Sequence, residues 1–468
     1  MVFSSPIFLF LFLPACLLFY LFTNIYGNIK LENICLLIFS IIFYAYGSFE
    51  FLPILLVSIV VNFILSKLVD SVENEYLRLF VFTLAIMLNI AMLFVYKYLN
   101  LFTGLIFGVE NATDIKLPIG ISFYTFQVLS YHIDVYRKDV KSCKSLVNFA
   151  LFTMLFPQLI AGPIVRYSTI EENLKSRRST FNDFSDGISR FMVGFAKKIV
   201  FANGLGKIAD LAFSHMGYYN MGPLLSIFVL ICYSMQIYLD FWAYSDMAIG
   251  IGKIFGFEFP ENFNMPFLST SITEFWTRWH ITLSSFFKDY VYIPLGGNRY
   301  GLFRTCVNLT IVFALSGFWH GASFNFLFWG LYNAFFLVIE RIVYTKAKWK
   351  IPATLGILYV FIVWNIGMIL FRLENMQDVA YFVKGFFKPA LFNYSTRDLV
   401  DAIFTPNFIV CFVCSVLYLT PFFAKIRDAL YRTRFGFIIV DIVIIALFIY
   451  AVVEMLTTGF NPFIYFRF

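Results

Sequence analysis

Ten long apolar runs set the first limit on what this chain can become. Phe8–Tyr26, Ile34–Tyr46, Ile54–Val69, Leu79–Tyr98, Leu224–Ile237, Thr305–Trp319, Phe324–Val343, Leu355–Leu370, Phe408–Phe423 and Phe435–Leu456 carry few charges or none. A helix needs about 20 apolar residues to cross a bilayer. Several runs reach that length alone; others need their flanks or cross only partway. Windowing gives about ten to twelve membrane segments. The expected class is therefore an all-α polytopic membrane protein. Charged residues, 13% of the chain, agree: a soluble domain carries about 25%, so lipid is the solvent for most of this surface.

The remaining bulk features fit that frame. The first run follows a start without Lys or Arg and ends without a small-residue cleavage pattern, so it reads as a retained span, not a signal peptide. The net charge of +7 belongs to loops that hold orientation, and nucleic acid is not an expected partner. The seven cysteines, Cys16, Cys35, Cys143, Cys232, Cys306, Cys411 and Cys414, are odd in number and scattered, which is no disulfide framework. Cys411 and Cys414 have CxxC spacing but lie inside a span and read as small apolar residues. No soluble domain, low-complexity tract or internal repeat is visible.

Charge gives topology at the C-terminal end. Lys346, Lys348 and Lys350 are placed in the cytoplasm, and so are Lys425, Arg427, Arg432 and Arg434. The segment Arg372–Asp401, with four basic and four acidic residues, lies outside between them. The last span runs outward and leaves the closing "NPFIYFRF" outside. Reading backward, Thr305–Trp319 climbs outward from Arg299 and Arg304. Its fifteen residues rise about 22 Å, less than the hydrocarbon core of about 30 Å. His320, in "LSGFWHGASFNFLFWG", then stops below the outer surface, in an outward-opening cavity. "LPIGISFYTFQ" (117–127) and "FPQLIAGPI" (156–164) are short and broken by Pro and Gly. Such backbone is tolerated at membrane depth only where protein or a cavity surrounds it, so both read as re-entrant or broken segments.

The candidate chemistry rests on histidine. An ionisable residue inside a membrane is a functional candidate by default, and a neutral imidazole suits a general base. His320 stands alone in an apolar run. His280, in "EFWTRWHITLSSFFKDYVYIPLGG", lies between Trp276, Arg278, Trp279 and, nine residues on, Asp289. Each is also compatible with a buried histidine bonded to backbone and clamped by tryptophans. His132 reads as a membrane-edge residue beside Asp134, Arg137 and Lys138, and His215 as a loop residue. No GxxxxGK[ST], GxSxG or HExxH pattern occurs, and four dispersed histidines make a metal site unexpected. Asp240, Asp246 and Asp441 are possible buried acids, so a proton-coupled transporter stays open as a second class.

Four blocks, "LPIGISFYTFQVLSYHIDVYR", "LFPQLIAGPIVRY", "FWTRWHITLSSFFKDYVYIPLGGNRYG" and "SGFWHGASFNFLFWGLYNA", resemble in this order the membrane-bound O-acyltransferase superfamily. The branch they are similar to acetylates alginate and peptidoglycan in bacteria. The start "MVFSSPIFLFLFLP" and the tail look like that branch too. The resemblance covers the whole chain and implies one domain over 1–468 with an aromatic tail over 457–468. It implies a ring of helices around a thinned centre, with a cytoplasmic opening and an extracytoplasmic funnel. It implies acetyl-coenzyme A as donor, no metal, His320 as the catalytic histidine and His280 at the second family position. It implies a bacterial inner-membrane location, a glycan acceptor, and a periplasmic partner of the SGNH hydrolase-like type. A related D-alanyl transfer system ends a small peptide in a similar motif whose Tyr receives the acyl group. By that likeness Tyr465 is a covalent acetyl carrier, or else an interfacial anchor of the kind Tyr often forms. Eight residues separate Leu456 from Tyr465, enough to reach back about 30 Å. Arg467 stands where the branch is expected to have Gln. Arg166, Arg177 and Arg178 are placed to guide coenzyme phosphates if their loop is cytoplasmic; an ordinary solvated loop is the other reading. D-alanyl transfer is the alternative within the same superfamily.

Overall fold

The structure is a computed structural model that describes residues 1–108, 113, 115–214, 221–347, 352–373, 375–389 and 394–462. The described residues form helices and no strand. They fall into two compact units, Met1–Phe191 with Tyr244–Glu261, and Met192–Ala243 with Asn262–Phe468. Among the described residues eight helical stretches are long and apolar enough to cross a membrane, or nine if the bent pair Arg397–Ile403 and Pro406–Tyr418 is one span. The difference from ten to twelve lies partly in length. Ile29–Ser71 is one stretch of 43 residues, about 64 Å of helix, and breaks at Ser48 (φ −157°, ψ 55°). The other part lies in the run Phe408–Phe423, which falls mostly within that bent pair.

In the first unit the amphipathic rule is inverted, as lipid requires. The most apolar part of Glu75–Phe107 is only 22% buried, whereas that of Gly222–Ile254 is 72% buried. Long helices begin where side chains satisfy free backbone donors: Asn28 accepts from the Lys30 N–H, Asn74 from Leu77 and Ser145 from Asn148. The two broken segments meet here. Pro118–Gly120 ends in a left-handed Gly120 (φ 75°) that opens the almost wholly buried helix Ile121–Arg137. A Cβ on Gly120 would lie 2.5 Å from the Leu159 carbonyl oxygen, in the short helix Phe156–Leu159. The segment 156–164 is buried in protein, the condition for broken backbone at membrane depth, whereas in the other Leu117 is exposed and Gly120 half-buried.

The second unit is built on the hairpin of Gly301–His320 and Phe324–Ala347. Small residues let these helices touch. A Cβ on Gly317 would meet the Phe326 carbonyl at 2.3 Å, one on Gly330 the Phe313 carbonyl at 2.2 Å, and the two glycines pack on each other. Ala353–Arg372 closes against the second arm, where Asn325 Nδ2 donates to the Leu373 carbonyl at 2.5 Å. The first arm corrects one expectation. It runs 20 residues, about 30 Å, because the polar turn from Gly301 to Arg304 joins the apolar run. Its length therefore no longer places His320 below a membrane surface; the burial of the side chain is the surviving observation.

Candidate active site

The segment carrying His280 is held by capping. Ser271 accepts from the Glu274 N–H at the start of Ile272–Arg278. Glu274 reaches back to the Thr270 N–H and hydroxyl at 2.8 and 3.0 Å, half of a capping box displaced by one residue. Burial raises the Glu274 pKa, but the Thr270 donors and Arg278, at 2.7 Å, outweigh it and hold the carboxyl below its ordinary value. Glu340, from Phe324–Ala347, accepts from the N–H groups of Ile272 and Thr273 at 2.6 and 2.9 Å. The hairpin thus fixes the short helix that precedes His280.

His280 itself turns the chain into Ile281–Phe287 with left-handed backbone (φ 44°, ψ 53°). Among the described residues only Lys138 and Met265 share positive φ without being glycine. This conformation costs of order 1 kcal/mol or more and persists only when surroundings impose it. Asn262 imposes it here. Its carbonyl accepts from the Ile281 N–H at 2.9 Å, and its Oδ1 meets His280 Nδ1 at 3.2 Å and the Thr282 N–H at 3.3 Å. An atom that accepts from a backbone N–H is the amide oxygen, so His280 Nδ1 is placed to donate to it.

His320 is the last residue of its helix and is 8% exposed. Its ring meets Trp329 at 5.0 Å and Phe371 at 5.1 Å, both edge-on, and Trp319 at 4.7 Å. Trp319 is also 6.0 Å from His280, and Phe241 meets His280 edge-on at 4.5 Å. The two histidines, forty residues apart in sequence, thus share one tryptophan. Trp276, Trp279, Trp329 and Trp364 continue the cluster, with Trp279 and Trp364 at 4.5 Å and Trp276 and Trp329 at 5.8 Å. Trp242 joins through Tyr238. The tryptophans and the two imidazoles form one aromatic cluster.

The other candidates are scattered. His132 is fully buried in protein: Nε2 lies 2.8 Å from Asn62 Oδ1, and Asn89 donates to the same oxygen at 2.6 Å. The Arg177 side chain is also buried, 3.3 Å from Glu32 and bonded to Asn33 at 2.5 Å. Its guanidinium is enclosed by these partners, whereas Arg178 is exposed and Arg166 half-buried. Asp246 pairs with Arg190 at 2.8 Å and Asp240 with Lys198 at 2.8 Å, while Asp441 is exposed. All seven cysteines are free thiols. Among the described residues no three His, Cys, Asp or Glu side chains converge as metal ligands would. His215 and Tyr465 lie outside the described residues.

Sequence reading missed two features of the second unit. One is Asn262, which carries no sequence signal. The other is "FAKKIVFANG", where Lys197 and Lys198 are each 2% exposed; paired cations in an apolar segment are a legible signal. Lys197 Nζ sits 3.3 Å above the Trp242 ring, and Lys198 holds Asp240.

The model of the membrane-bound O-acyltransferase family matches residues 38–376. The chain belongs to that family. It is 40% identical over 416 residues to the probable alginate O-acetylase AlgI of Azotobacter vinelandii, covering 86% of this chain and 80% of that protein. It is 34% identical over 422 residues to the peptidoglycan O-acetyltransferase of Helicobacter pylori, covering 82% and 79%. It is 30% identical over 245 residues to the teichoic acid D-alanyltransferase of Streptococcus thermophilus, covering 49% and 58%. This member of the family is accordingly a multi-pass membrane O-acyltransferase.

Proposed function

We propose that the chain takes acetyl groups from cytoplasmic acetyl-coenzyme A and delivers them across a bacterial inner membrane for O-acetylation of a glycan, alginate-like or peptidoglycan. The observation that carries the reading is the shared packing of His280 and His320 on Trp319 in one aromatic cluster. The names of the alginate and peptidoglycan relatives support acetyl transfer to a glycan. Of the acids weighed for a transporter, Asp240 is paired with Lys198 and Asp246 with Arg190.

In this account His320 takes the proton of the Tyr465 phenol as the phenolate oxygen attacks the thioester carbonyl. The C–S bond breaks, the proton passes to the departing sulfur, and the products are coenzyme A thiol and acetyl-Tyr465. A phenol with pKa near 10 needs such a base at neutral pH. His280, with Nδ1 placed to donate to Asn262, supplies the second imidazole. The tail faces the outside, where a periplasmic SGNH hydrolase-like partner moves the acetyl group from tyrosine to a glycan hydroxyl.

The test is thiol release by purified protein. Acetyl-coenzyme A supports release in the wild type, and His320→Ala lowers the rate by about 10²–10⁴, the usual contribution of a general base. Turnover of a D-alanyl thioester with none of acetyl-coenzyme A would replace the acetyl reading by the D-alanyl one.

A further inference from the structure

The C-terminal tail is fastened to the second unit before it reaches its last residues. Gly436–Thr458 ends at Gly459, in left-handed conformation (φ 61°). Asn203 Nδ2 then donates to the Phe460 carbonyl at 3.1 Å, and Lys198 Nζ donates to the Pro462 carbonyl at 2.5 Å. The same ammonium lies 2.8 Å from Asp240 Oδ1, with side chains only 3% and 6% exposed. A buried cation is costly unless it is paired and its donors are used. Here one partner is a carboxylate and the other is the tail's own backbone. Below this point Lys207 pairs with Glu454 at 3.2 Å. Asp240 immediately precedes Phe241, the residue whose ring meets His280.

We infer that Lys198 and Asn203, with Asp240 balancing the charge, form a clamp on the tail backbone and are positioning residues for its acceptor tyrosine. The role in transfer rests on the proposed carrier function of Tyr465; the clamp itself does not. Both bonds go to carbonyl oxygens, so the clamp holds the tail whatever its side chains are. Tyr465 is three residues beyond Pro462, so its Cα stays within about 11 Å of the clamped residue. An unclamped tail is still tethered, but it searches a larger volume and presents the phenol at lower effective concentration.

The test uses the full chain with Asn461→Cys and a water-soluble maleimide, reading the adduct at position 461 by peptide mass. It also reads acetyl incorporation into the tail from acetyl-coenzyme A. Lys198→Met with Asp240→Asn removes the Lys198 bond without leaving a lone buried charge, and Asn203→Ala is the milder variant, which removes the other bond and leaves the ion pair in place. The expected result is labelling at least tenfold faster and tail acetylation at least tenfold slower in the double variant. Asn203→Ala shifts both the same way by a smaller factor, and Lys198→Arg restores both. Thiol release with excess free peptide NPFIYFRF as acceptor stays within twofold, which separates positioning from loss of the active site. Unchanged labelling overturns the clamp, and faster labelling with unchanged tail acetylation overturns its positioning role. A wild type that never acetylates its tail defeats the carrier reading alone, and the labelling still decides the clamp.

Discussion

At the level of single residues, the anomaly of His320 is legible in sequence because an imidazole without charged neighbours stands out in an apolar run. Its second partner is half legible. The tryptophans around His280 announce a packed site, but Asn262, eighteen positions earlier, is an ordinary asparagine until the fold brings it under the ring. His132 has a partner that is hidden in sequence for a related reason. Its charged neighbour Arg137 lies five residues on, about 140° around the helix, and faces away while His132 turns inward to Asn62. Asn262→Leu is predicted to remove the Oδ1 acceptor that His280 Nδ1 and the Thr282 N–H and hydroxyl share. A buried unsatisfied donor costs about 1–3 kcal/mol, so thermal unfolding in detergent should move down and thiol release should fall. An unchanged melting curve would remove Asn262 as the support of His280.

At the level of elements, sequence shows the long apolar helices and misjudges their ends. The Gly301–His320 helix is five residues longer than a reading of apolar length alone allows, since backbone continuity, not hydropathy, decides where a helix starts and ends; no side chain caps this one at Tyr300. The broken segments were readable from their Pro and Gly residues, and their mutual contact through Gly120 was not. Glycines at the hairpin are interpretable only with the partner helix present. Gly330→Ala puts a methyl group 2.2 Å from the Phe313 carbonyl, and the contact is backbone, so the helices must separate. A cost of about 1–3 kcal/mol is expected from such overpacking, with a lower melting temperature and slower thiol release as His320 shifts. Gly27→Ala, where nothing lies within 4 Å but φ is +58°, is the comparison: local turn strain without displacement of the hairpin. Equal loss of activity in both would show that the glycine contact does not set the site.

At the level of the whole molecule, the family and the membrane character were legible from four sequence blocks and the apolar runs. Chain direction across the membrane rests on charge alone. The account predicts that a periplasm-dependent reporter fused after residue 468 is active, and that one fused within the basic stretch 425–434 is inactive. The reverse pattern would place the tail on the cytoplasmic side and end its role as an outward carrier. The relay is tested most directly by intact-protein mass after incubation with acetyl-coenzyme A, in wild type, Tyr465→Phe and His320→Ala. The account predicts one added acetyl in the wild type, mapped to Tyr465 and absent from both variants. A wild type that gains no acetyl, yet releases coenzyme A once partner and glycan are added, would contradict it and make the transfer direct.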